Sequence, residues 1–196
     1  MIVVSFATKG NYEKELAYHL MPSLKKFNIP YDIDIIPKSN WKEATRYKAT
    51  LIKKKLLKHK KPIVFLDVDA QILKYPKLFD EISDYDISIH HLDYELQWRK
   101  RPGKRKDALT GTLYFNYTEK SLKFVDEWIE EIKKNGEHDQ TNIQYLLKRN
   151  KDLKIYPLPY SYITIIMQRG EMPTHMIRRE DIYILHHQAS RRLKRK

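Results

Sequence analysis

The stretch that most constrains the fold of this chain is an apolar run that ends in two aspartates. The run is Ile63-Val64-Phe65-Leu66, and it is followed by Asp67, Val68 and Asp69. A short continuous apolar run predicts a strand that is buried on both faces, as in the centre of a parallel sheet. Because side chains alternate along an extended segment, both carboxylates point the same way, with Cα atoms about 6.6 Å apart.

Two carboxylates at this spacing repel each other by about 3 kcal/mol at an effective dielectric constant of about 20. A divalent cation removes that repulsion, because hard cations bind carboxylate oxygens. The alternative is that Asp67 and Asp69 are solvated residues at a strand-to-loop junction. The buried run in front of them favours the metal site.

Composition limits the available ligands and compartments. The 196 residues are 41% hydrophobic, enough for one substantial core, so we expect a single domain over residues 1–196. Cysteine is absent, so a metal must be held by oxygen or imidazole, and a cytoplasmic location is expected. The chain opens with Met1-Ile2-Val3-Val4, which is typical of a strand rather than a signal sequence, and no apolar run approaches about 18 residues. We therefore expect a soluble, unprocessed protein.

The formal charge of +13 implies an anionic partner, which could be nucleotide phosphates, nucleic acid or an acidic membrane surface. Residues 95–107 combine many basic side chains with Pro102-Gly103, and we expect a mobile loop that clamps a phosphate-rich substrate or is simply solvated. The basic tail at residues 191–196 either attracts anionic lipid in a peripheral membrane contact or is likewise solvated.

Strand and helix patterns alternate along the rest of the chain. We predict helices from Trp41 to Lys58, from Thr118 to about Lys134 and directly after Asp139, and one after Asn11 that Pro22 interrupts. We predict strands at residues 2–8, 31–36, 63–66, 85–90, 110–116, 153–158 and 182–185. This alternation predicts an α/β sandwich with a mainly parallel sheet, whose ligands collect at the carboxyl ends of the strands.

That rule places Ser5 to Lys9, the two aspartates and His186 along one rim of the sheet. A neutral imidazole is a natural nitrogen ligand for a site that offers two carboxylates and no thiol. His187 is also a candidate, but side-chain alternation puts only one of the two histidines on the metal side.

Other residues have two interpretations each. Lys48 interrupts the apolar stripe of its helix, so its ammonium either reaches outward to solvent or faces an anion in the site. Gly111 within a strand indicates close approach by a ligand or another backbone, or a β-bulge. Asp139 is a good helix N-cap, and that role alone could explain it. The Asp32 and Asp34 pair begins a strand rather than ending one, which favours a solvated face.

Together these residues carry a resemblance to a known family. An apolar strand ending in Asp-x-Asp, after an N-terminal nucleotide-entry strand, resembles that of a GT-A fold glycosyltransferase. The chain also resembles successive blocks of small nucleotide-diphospho-sugar transferases over nearly its whole length. These blocks are Trp41 with Tyr47-Lys48-Ala49 and Ile52, Phe65 to Ala70, Gly111 to Asn116, Asp139-Gln140, and His186-His187-Gln188-Ala189-Ser190-Arg191.

The resemblance implies a single-domain GT-A fold and a metal-dependent glycosyltransferase of the hexosyltransferase type. The donor would be a nucleotide sugar, with UDP as the nucleotide, and the acceptor a hydroxyl of a glycan, lipid or protein. Asp69 would bind Mn²⁺ or Mg²⁺ directly, His186 would be the third protein ligand, and Asp67 would touch the ribose or reach the metal through water.

Further roles follow from the resemblance in the same way. Ala7 and Thr8 would line the nucleoside pocket, and Lys48 would help hold the nucleotide. Gly111 and Thr112 would border the donor sugar. Asp139 and Gln140, the candidate catalytic residues, would meet the sugar or the acceptor.

Charge dictates the expected chemistry. Cleavage at the anomeric carbon builds negative charge on the nucleoside diphosphate, and the cation with Lys48, Arg191 and Arg192 would stabilise it. If the reaction inverts the anomeric centre, Asp139 is the leading base for the acceptor hydroxyl. If it retains the configuration, a return through the leaving phosphate's own oxygen or a covalent intermediate is needed.

Two other functions compete. Haloacid-dehalogenase-type phosphatases also place Asp-x-Asp after an apolar strand, with the first aspartate as nucleophile and the second as acid, roles that Asp67 and Asp69 would take. Here Gln71 stands where that family expects Thr or Val. A non-enzymatic nucleic-acid-binding protein would explain the basic charge, but it leaves the acidic pair unexplained.

Overall fold

The computed structural model describes residues 1–93, 106–166 and 176–193. The strands of its central sheet are β1 Ile2–Thr8, β2 Tyr31–Ile36, β3 Ile63–Leu66, β5 Ile87–Asp93, β6 Lys106–Phe115 and β7 Ile155–Pro157. Their order across the sheet is β2-β1-β3-β6-β5-β7. Strand β6 is antiparallel to both of its neighbours, and the other adjacent pairs are parallel. The sheet is therefore mixed and largely parallel, which confirms the predicted α/β class.

A second, smaller sheet brings the end of the chain to the acidic pair. Its strands are β4 Ala70–Ile72, β8 Thr164–Ile165 and β9 Ile184–His186, in the order β4-β9-β8. Strand β4 begins directly after Asp69 and pairs with β9 in antiparallel register, so that Ala70 lies opposite His186. Backbone pairing therefore fixes the distance between the histidine and the aspartates.

The helices agree closely with the sequence pattern. They are α1 Asn11–Glu15, α2 Met21–Lys26, α3 Trp41–His59, α4 Leu78–Glu81, α5 Glu119–Asn135, α6 Asp139–Arg149 and α7 Ala189–Leu193. Helices α1 and α2 are separated by a π-helical turn, Leu16–Leu20, and Pro22 lies in the first turn of α2, where its missing N–H costs least. Thr118 caps α5 as predicted, since its hydroxyl accepts a bond from the Ser121 N–H at 3.1 Å.

Two hydrophobic clusters cover the two faces of the central sheet, and β3 contributes to both. Ile63 and Phe65 pack with residues of α3, α5 and α6, whereas Val64 and Leu66 pack with α1, α2 and the small sheet. All four side chains are at most 1% exposed. The apolar run is therefore a central strand, and the chain leaves the core where the aspartates begin.

Two sequence expectations need correction. Strand β9 begins and ends later than the predicted strand at residues 182–185. His186 is its last residue, whereas we expected His186 to follow the strand. The difference arises because pairing with β4 sets the bounds of β9. Asp32 and Asp34 were expected on a solvated face. Instead the Lys55 ammonium contacts both carboxylates, and the Lys55 side chain is 1% exposed, because basic side chains of α3 reach the two aspartates of β2.

Candidate active site

The acidic pair lies at the point where the two sheets meet. The Asp67 N–H donates to the Gly111 carbonyl at 2.9 Å, which extends the pairing of β3 with β6 by one residue. The Ala70 N–H donates to the Asp67 carbonyl at 2.9 Å, so the chain turns sharply and enters β4. The aspartates thus occupy a tight turn whose two ends are held by different sheets.

Three potential ligands converge at this turn. Asp67, Asp69 and His186 each offer one ligand atom, and these atoms all lie within 4.8 Å of one another. The His186 Nδ1 is 3.6 Å from Asp69 Oδ1. The other Asp69 oxygen, Oδ2, accepts a hydrogen bond from the Ala189 N–H at 2.7 Å. The structure therefore brings together the three residues that the sequence suggested for a metal.

The electrostatics of the trio fit a divalent cation. Burial raises the pKa of Asp67 to about 6; Lys48 and His186 oppose this rise, and the nearby Asp69 adds to it. The Asp67 side chain is still 42% exposed on its cavity side, so an ion can reach it. Burial alone would raise the pKa of Asp69, but His186 and the Ala189 N–H outweigh it and lower that pKa. Two carboxylates and one imidazole could together hold a divalent cation.

His187 lies on the other side of β9, as alternation predicted. Its Nε2 is 2.9 Å from Gln71 Oε1, and its ring stacks on His19 with centroids 3.9 Å apart. Burial and, to a smaller extent, the neighbouring His19 lower its pKa to about 4. The ring is therefore neutral and points away from the carboxylates.

Lys48 joins the acidic pair to a third carboxylate. Its Nζ is 2.7 Å from Asp139 Oδ2 and 3.2 Å from Asp67 Oδ1, and it also donates to the Thr110 carbonyl at 3.0 Å. Burial opposes the charged ammonium, but Asp139 and Asp67 outweigh it and raise the pKa of Lys48. Of the two options for Lys48, the structure shows the one in which the ammonium faces anions in the site.

Asp139 is not the helix cap. The N-cap of α6 is His138, and no side chain caps this helix end. Asp139 is only 4% exposed. Its carboxylate instead pairs with the Lys48 ammonium and accepts a hydrogen bond from the Thr110 hydroxyl at 2.8 Å. The capping explanation was therefore wrong by one position, since Asp139 is the first helical residue and its side chain turns into the site.

Two cavities adjoin these residues. The smaller, of about 110 Å³, is lined by Phe6, Thr8, Tyr12, Ala44, Thr45, Lys48, Asp67, Val68, Asp69 and Ser190. The larger, of about 420 Å³, is lined by Thr45, Lys48, Asp67, Asp69, Leu109, Thr110, Gly111, His138, Asp139, Gln140, Ile163, Ile165, His186, Gln188, Ser190 and Arg191. Lys48 and the two aspartates separate the cavities and belong to both.

Most of the residues suggested by the sequence line these cavities, namely Thr8, Lys48, Asp67, Asp69, Gly111, Asp139, Gln140, His186 and Arg191. Ala7 and Thr112 line neither. Ala7 is 1% exposed and packs in the hydrophobic core. Thr112 is fully buried, and its hydroxyl lies 2.9 Å from His186 Nε2. Neither side chain reaches a cavity, and a contact of either residue with the nucleotide sugar stays a prediction.

At Gly111 the structure supports the β-bulge interpretation, and the atoms that approach closely belong to side chains rather than to another backbone. A Cβ atom at this position would lie 3.0 Å from His186 Cε1 and 3.3 Å from Asp67 Oδ2, so the close neighbours are site side chains. The register between β5 and β6 also shifts opposite this part of β6, between Ser88 and His90. The missing side chain leaves room for the candidate ligands.

Sequence reasoning gave no site role to several cavity residues: Tyr12, Thr45, Gln188 and Ser190. A signal existed for two of them. Thr45 precedes Lys48 by three residues and so shares its helix face, and Tyr12 follows directly after the rim of β1. Both positions could have been inferred from the predicted elements.

The basic end of the chain is used in two ways. Arg191 lines the larger cavity, and its contact with the nucleotide stays a prediction. The Arg192 guanidinium instead contacts Glu15 Oε2 at 2.6 Å and the His187 carbonyl at 3.0 Å, so it ties α7 to α1 rather than facing a leaving group. The remaining tail, residues 194–196, lies outside the described residues, and so does nearly all of the expected basic loop at 95–107.

The fold matches solved glycosyltransferases. A glycosyltransferase involved in glycosylating the major capsid of PBCV-1 superposes with a TM-score of 0.71 at 11% identity, over 99% of this chain and 96% of the other. The galactosyltransferase LgtC gives a TM-score of 0.56 at 11% identity, over 96% and 87%. Mouse xyloside xylosyltransferase 1 gives 0.57 at 9% identity, over 97% and 99%. The architecture is thus that of the GT-A glycosyltransferases.

The family follows from the sequence. A profile of the nucleotide-diphospho-sugar transferase family matches residues 13–196, and no curated protein matches the chain. The chain belongs to the nucleotide-diphospho-sugar transferase family and is a glycosyltransferase that depends on a nucleotide sugar. Membership of this family is evidence against the phosphatase and nucleic-acid-binding alternatives. Among the described residues, no helix is long and apolar enough to cross a membrane.

Proposed function

We propose that this chain transfers a hexosyl group from a UDP-sugar to an acceptor hydroxyl, with a divalent cation held by Asp67, Asp69 and His186. The observation that carries the proposal is the convergence of these three residues within 4.8 Å beside a cavity large enough for a sugar. When bound, Mn²⁺ would neutralise charge on the leaving diphosphate. The oxygen and nitrogen donor set accommodates Mn²⁺ more readily than Mg²⁺, which prefers oxygen.

The smaller cavity is suited to the nucleoside. The rings of Phe6 and Tyr12 bound it, and aromatic rings bind bases by stacking. We propose that these two rings hold the base of UDP. Thr8 offers a hydroxyl at the end of β1, where ligands of open α/β sheets collect.

The chain's own cations determine how the site treats negative charge. The Lys48 ammonium forms ion pairs with Asp139 and Asp67 and donates to the Thr110 carbonyl. Lys48 would therefore orient the two carboxylates, and its contact with the nucleotide stays a prediction. Arg191 borders the larger cavity and supplies positive charge near the diphosphate.

Asp139 and Gln140 lie where the sugar or acceptor would enter. The Asp139 carboxylate is paired with the Lys48 ammonium and accepts a hydrogen bond from the Thr110 hydroxyl, and these two contacts would orient it as a base or nucleophile. Gln140 adds an amide that can donate to and accept from sugar hydroxyls. We propose Asp139 as the residue that acts on the acceptor hydroxyl or the anomeric carbon, with Gln140 orienting the sugar.

The test is a panel of UDP-, GDP- and CMP-sugars assayed with Mn²⁺ and with EDTA by thermal unfolding and by release of the nucleotide. A ligand at 100 times its dissociation constant adds about 2.7 kcal/mol, which for a chain of this size raises Tm by about 5–10 °C. We expect the largest rise, and hydrolysis, with a UDP-sugar in Mn²⁺. No rise with any member of the panel would contradict the proposal, and a rise confined to GDP-sugars would contradict the choice of UDP.

A further inference from the structure

The side chain of Thr112 is buried next to the candidate metal site without lining it. Thr112 lies on β6 opposite Leu66, the last residue of β3, and is fully buried. Its Oγ1 is 2.9 Å from His186 Nε2. Thr112 is therefore placed to act on the site through the histidine ring.

The contact fixes which edge of the ring faces the carboxylates. With Nε2 against Thr112, the His186 Nδ1 lies 3.6 Å from Asp69 Oδ1. A Cβ atom at position 111 would lie 3.1 Å from this Nδ1 and 3.3 Å from Asp67 Oδ2. The Nδ1 edge and both carboxylates thus border one small space, which glycine leaves open.

We propose that Thr112 is a positioning residue that makes Nδ1, and not Nε2, the nitrogen of His186 that binds the cation. This inference rests on the proposed function, since it needs a cation at the site. A neutral imidazole carries one N–H and one lone pair. When the Thr112 hydroxyl accepts the bond from Nε2–H, the lone pair is on Nδ1, directed at the space shared with the aspartates. Partners of this kind fix the tautomer and orientation of histidine ligands.

The hydroxyl also suits the state without a cation. A threonine hydroxyl can donate as well as accept, so it can donate to Nε2 while Nδ1–H faces Asp69. Cation binding at Nδ1 then requires the ring proton to be on Nε2. Rotation of the hydroxyl lets the Thr112 oxygen accept a hydrogen bond from Nε2–H. Valine has nearly the same shape but cannot do either, so it would leave Nε2 without this partner and the ring free to turn.

The first test measures binding of Mn²⁺ alone by isothermal titration calorimetry. Thr112→Val should weaken binding about tenfold or more, the usual effect of losing such a partner, while Thr112→Ser should stay within about threefold of wild type. Thr164→Val is the matched control, because Thr164 is equally buried and its hydroxyl donates to the Tyr160 carbonyl, away from His186. Equal Mn²⁺ affinity in Thr112→Val and wild type would overturn the inference.

The second test needs no variant and therefore does not depend on whether Thr112→Val folds. Protein with ¹⁵N-labelled histidine is titrated with diamagnetic Cd²⁺, and the two ring nitrogens of His186 are followed by NMR. We expect Cd²⁺ to shift Nδ1 and to leave Nε2 protonated, whereas coordination at Nε2 would overturn the inference. If wild type bound neither Mn²⁺ nor Cd²⁺, the metal part of the proposed function would fail with it. A wild type that binds through Nε2 would refute the role of Thr112 alone.

Discussion

Lys48 is the residue on which the geometry of the site depends most. Its ammonium is buried between the carboxylates of Asp139 and Asp67. Asp139 is only 4% exposed. A buried carboxylate that loses its cation is costly, because desolvation is no longer offset by the attraction. The Lys48 ammonium also lies 4.9 Å from the centroid of the Phe65 ring, so the contact extends into the core. A single side chain thus connects the acidic pair, the candidate catalytic aspartate and the central strand.

Replacing Lys48 with Met should lower the free energy of unfolding by about 3–5 kcal/mol, measured by urea denaturation at pH 7. The double variant Lys48→Met with Asp139→Asn should recover part of that loss, because the unpaired charge is gone. Lys53→Met is the control, since its partner Asp126 is 57% exposed and such pairs contribute about 0–1 kcal/mol. Equal losses for Lys48→Met and Lys53→Met would refute this account of Lys48.

Strand β6 has the most unusual local sequence among the elements, Thr110-Gly111-Thr112. Thr110 holds Asp139 and Lys48, Thr112 contacts His186, and Gly111 leaves space between them. One antiparallel strand therefore arranges both halves of the site. This explains why three small residues stand in the middle of a ten-residue strand.

Gly111→Ala should weaken Mn²⁺ binding by about tenfold or more, because the added methyl would press on His186 Cε1 at 3.0 Å and displace the ring. The glycine does not have a positive φ, so the effect would come from space rather than from backbone strain. Calorimetric titration with Mn²⁺ measures it. An unchanged affinity in a folded variant would show that the ring has more room than the structure indicates.

The ion pairs between α3 and β2 make the free energy of unfolding depend on pH in the acidic range. Burial alone would raise the pKa of Asp32, but hydrogen bonds from Lys55, Lys58 and His59 outweigh it and lower that pKa. The pKa of Asp34 is lowered in the same way by Lys55 and Lys54. A carboxyl whose folded-state pKa is depressed contributes stability above its unfolded value, about 3.9, and that stability is lost as pH falls through the folded pKa.

The free energy of unfolding should therefore fall as the pH is lowered from about 5 to 2, measured by urea denaturation at a series of pH values. The double variant Asp32→Asn with Asp34→Asn should be less stable than wild type at pH 6, and its stability should fall less steeply with acid. Parallel pH curves for the two proteins would mean that other carboxyls cause the acid sensitivity.

The elements that the sequence predicts well are those fixed by local chemistry. The run from Ile63 to Leu66 gives β3 its bounds, Thr118 caps α5, and Pro22 marks the start of α2. What depends on distant partners was not predictable. Strand β4 is only three residues long and exists because β9 pairs with it, and the burial of Lys55 requires both aspartates of β2.

The candidate site divides in the same way. The aspartates and His186 could be inferred because strand ends meet at one rim. The partners of Asp139 and Thr112 could not, since each contact joins residues far apart in sequence. The sequence suggested a helix cap for Asp139 and a sugar contact for Thr112. Only the fold shows that Asp139 pairs with Lys48 and that Thr112 contacts His186.

At the scale of the molecule, β3 contributes to both hydrophobic clusters and ends at the site. We therefore propose that residues 1–196 unfold as one domain. Thermal unfolding followed by near-UV and far-UV circular dichroism should give coincident transitions, and Mn²⁺ with a bound nucleotide should shift both together. Two separate transitions would show that the small sheet melts independently and that the site is not rigidly tied to the core.

The central claim is that a cation at Asp67, Asp69 and His186 holds the diphosphate of the donor. Asp69→Asn tests it most directly, because the amide oxygen can still accept the Ala189 N–H that the carboxylate accepts at 2.7 Å, while the charge that binds the cation is lost. The measurement is the calorimetric affinity for UDP in Mn²⁺ and in EDTA. We predict that wild type binds UDP at least about tenfold more tightly in Mn²⁺ and that Asp69→Asn shows no such difference. Equal UDP affinities of wild type in Mn²⁺ and EDTA, or a manganese effect that survives in the variant, would contradict the account.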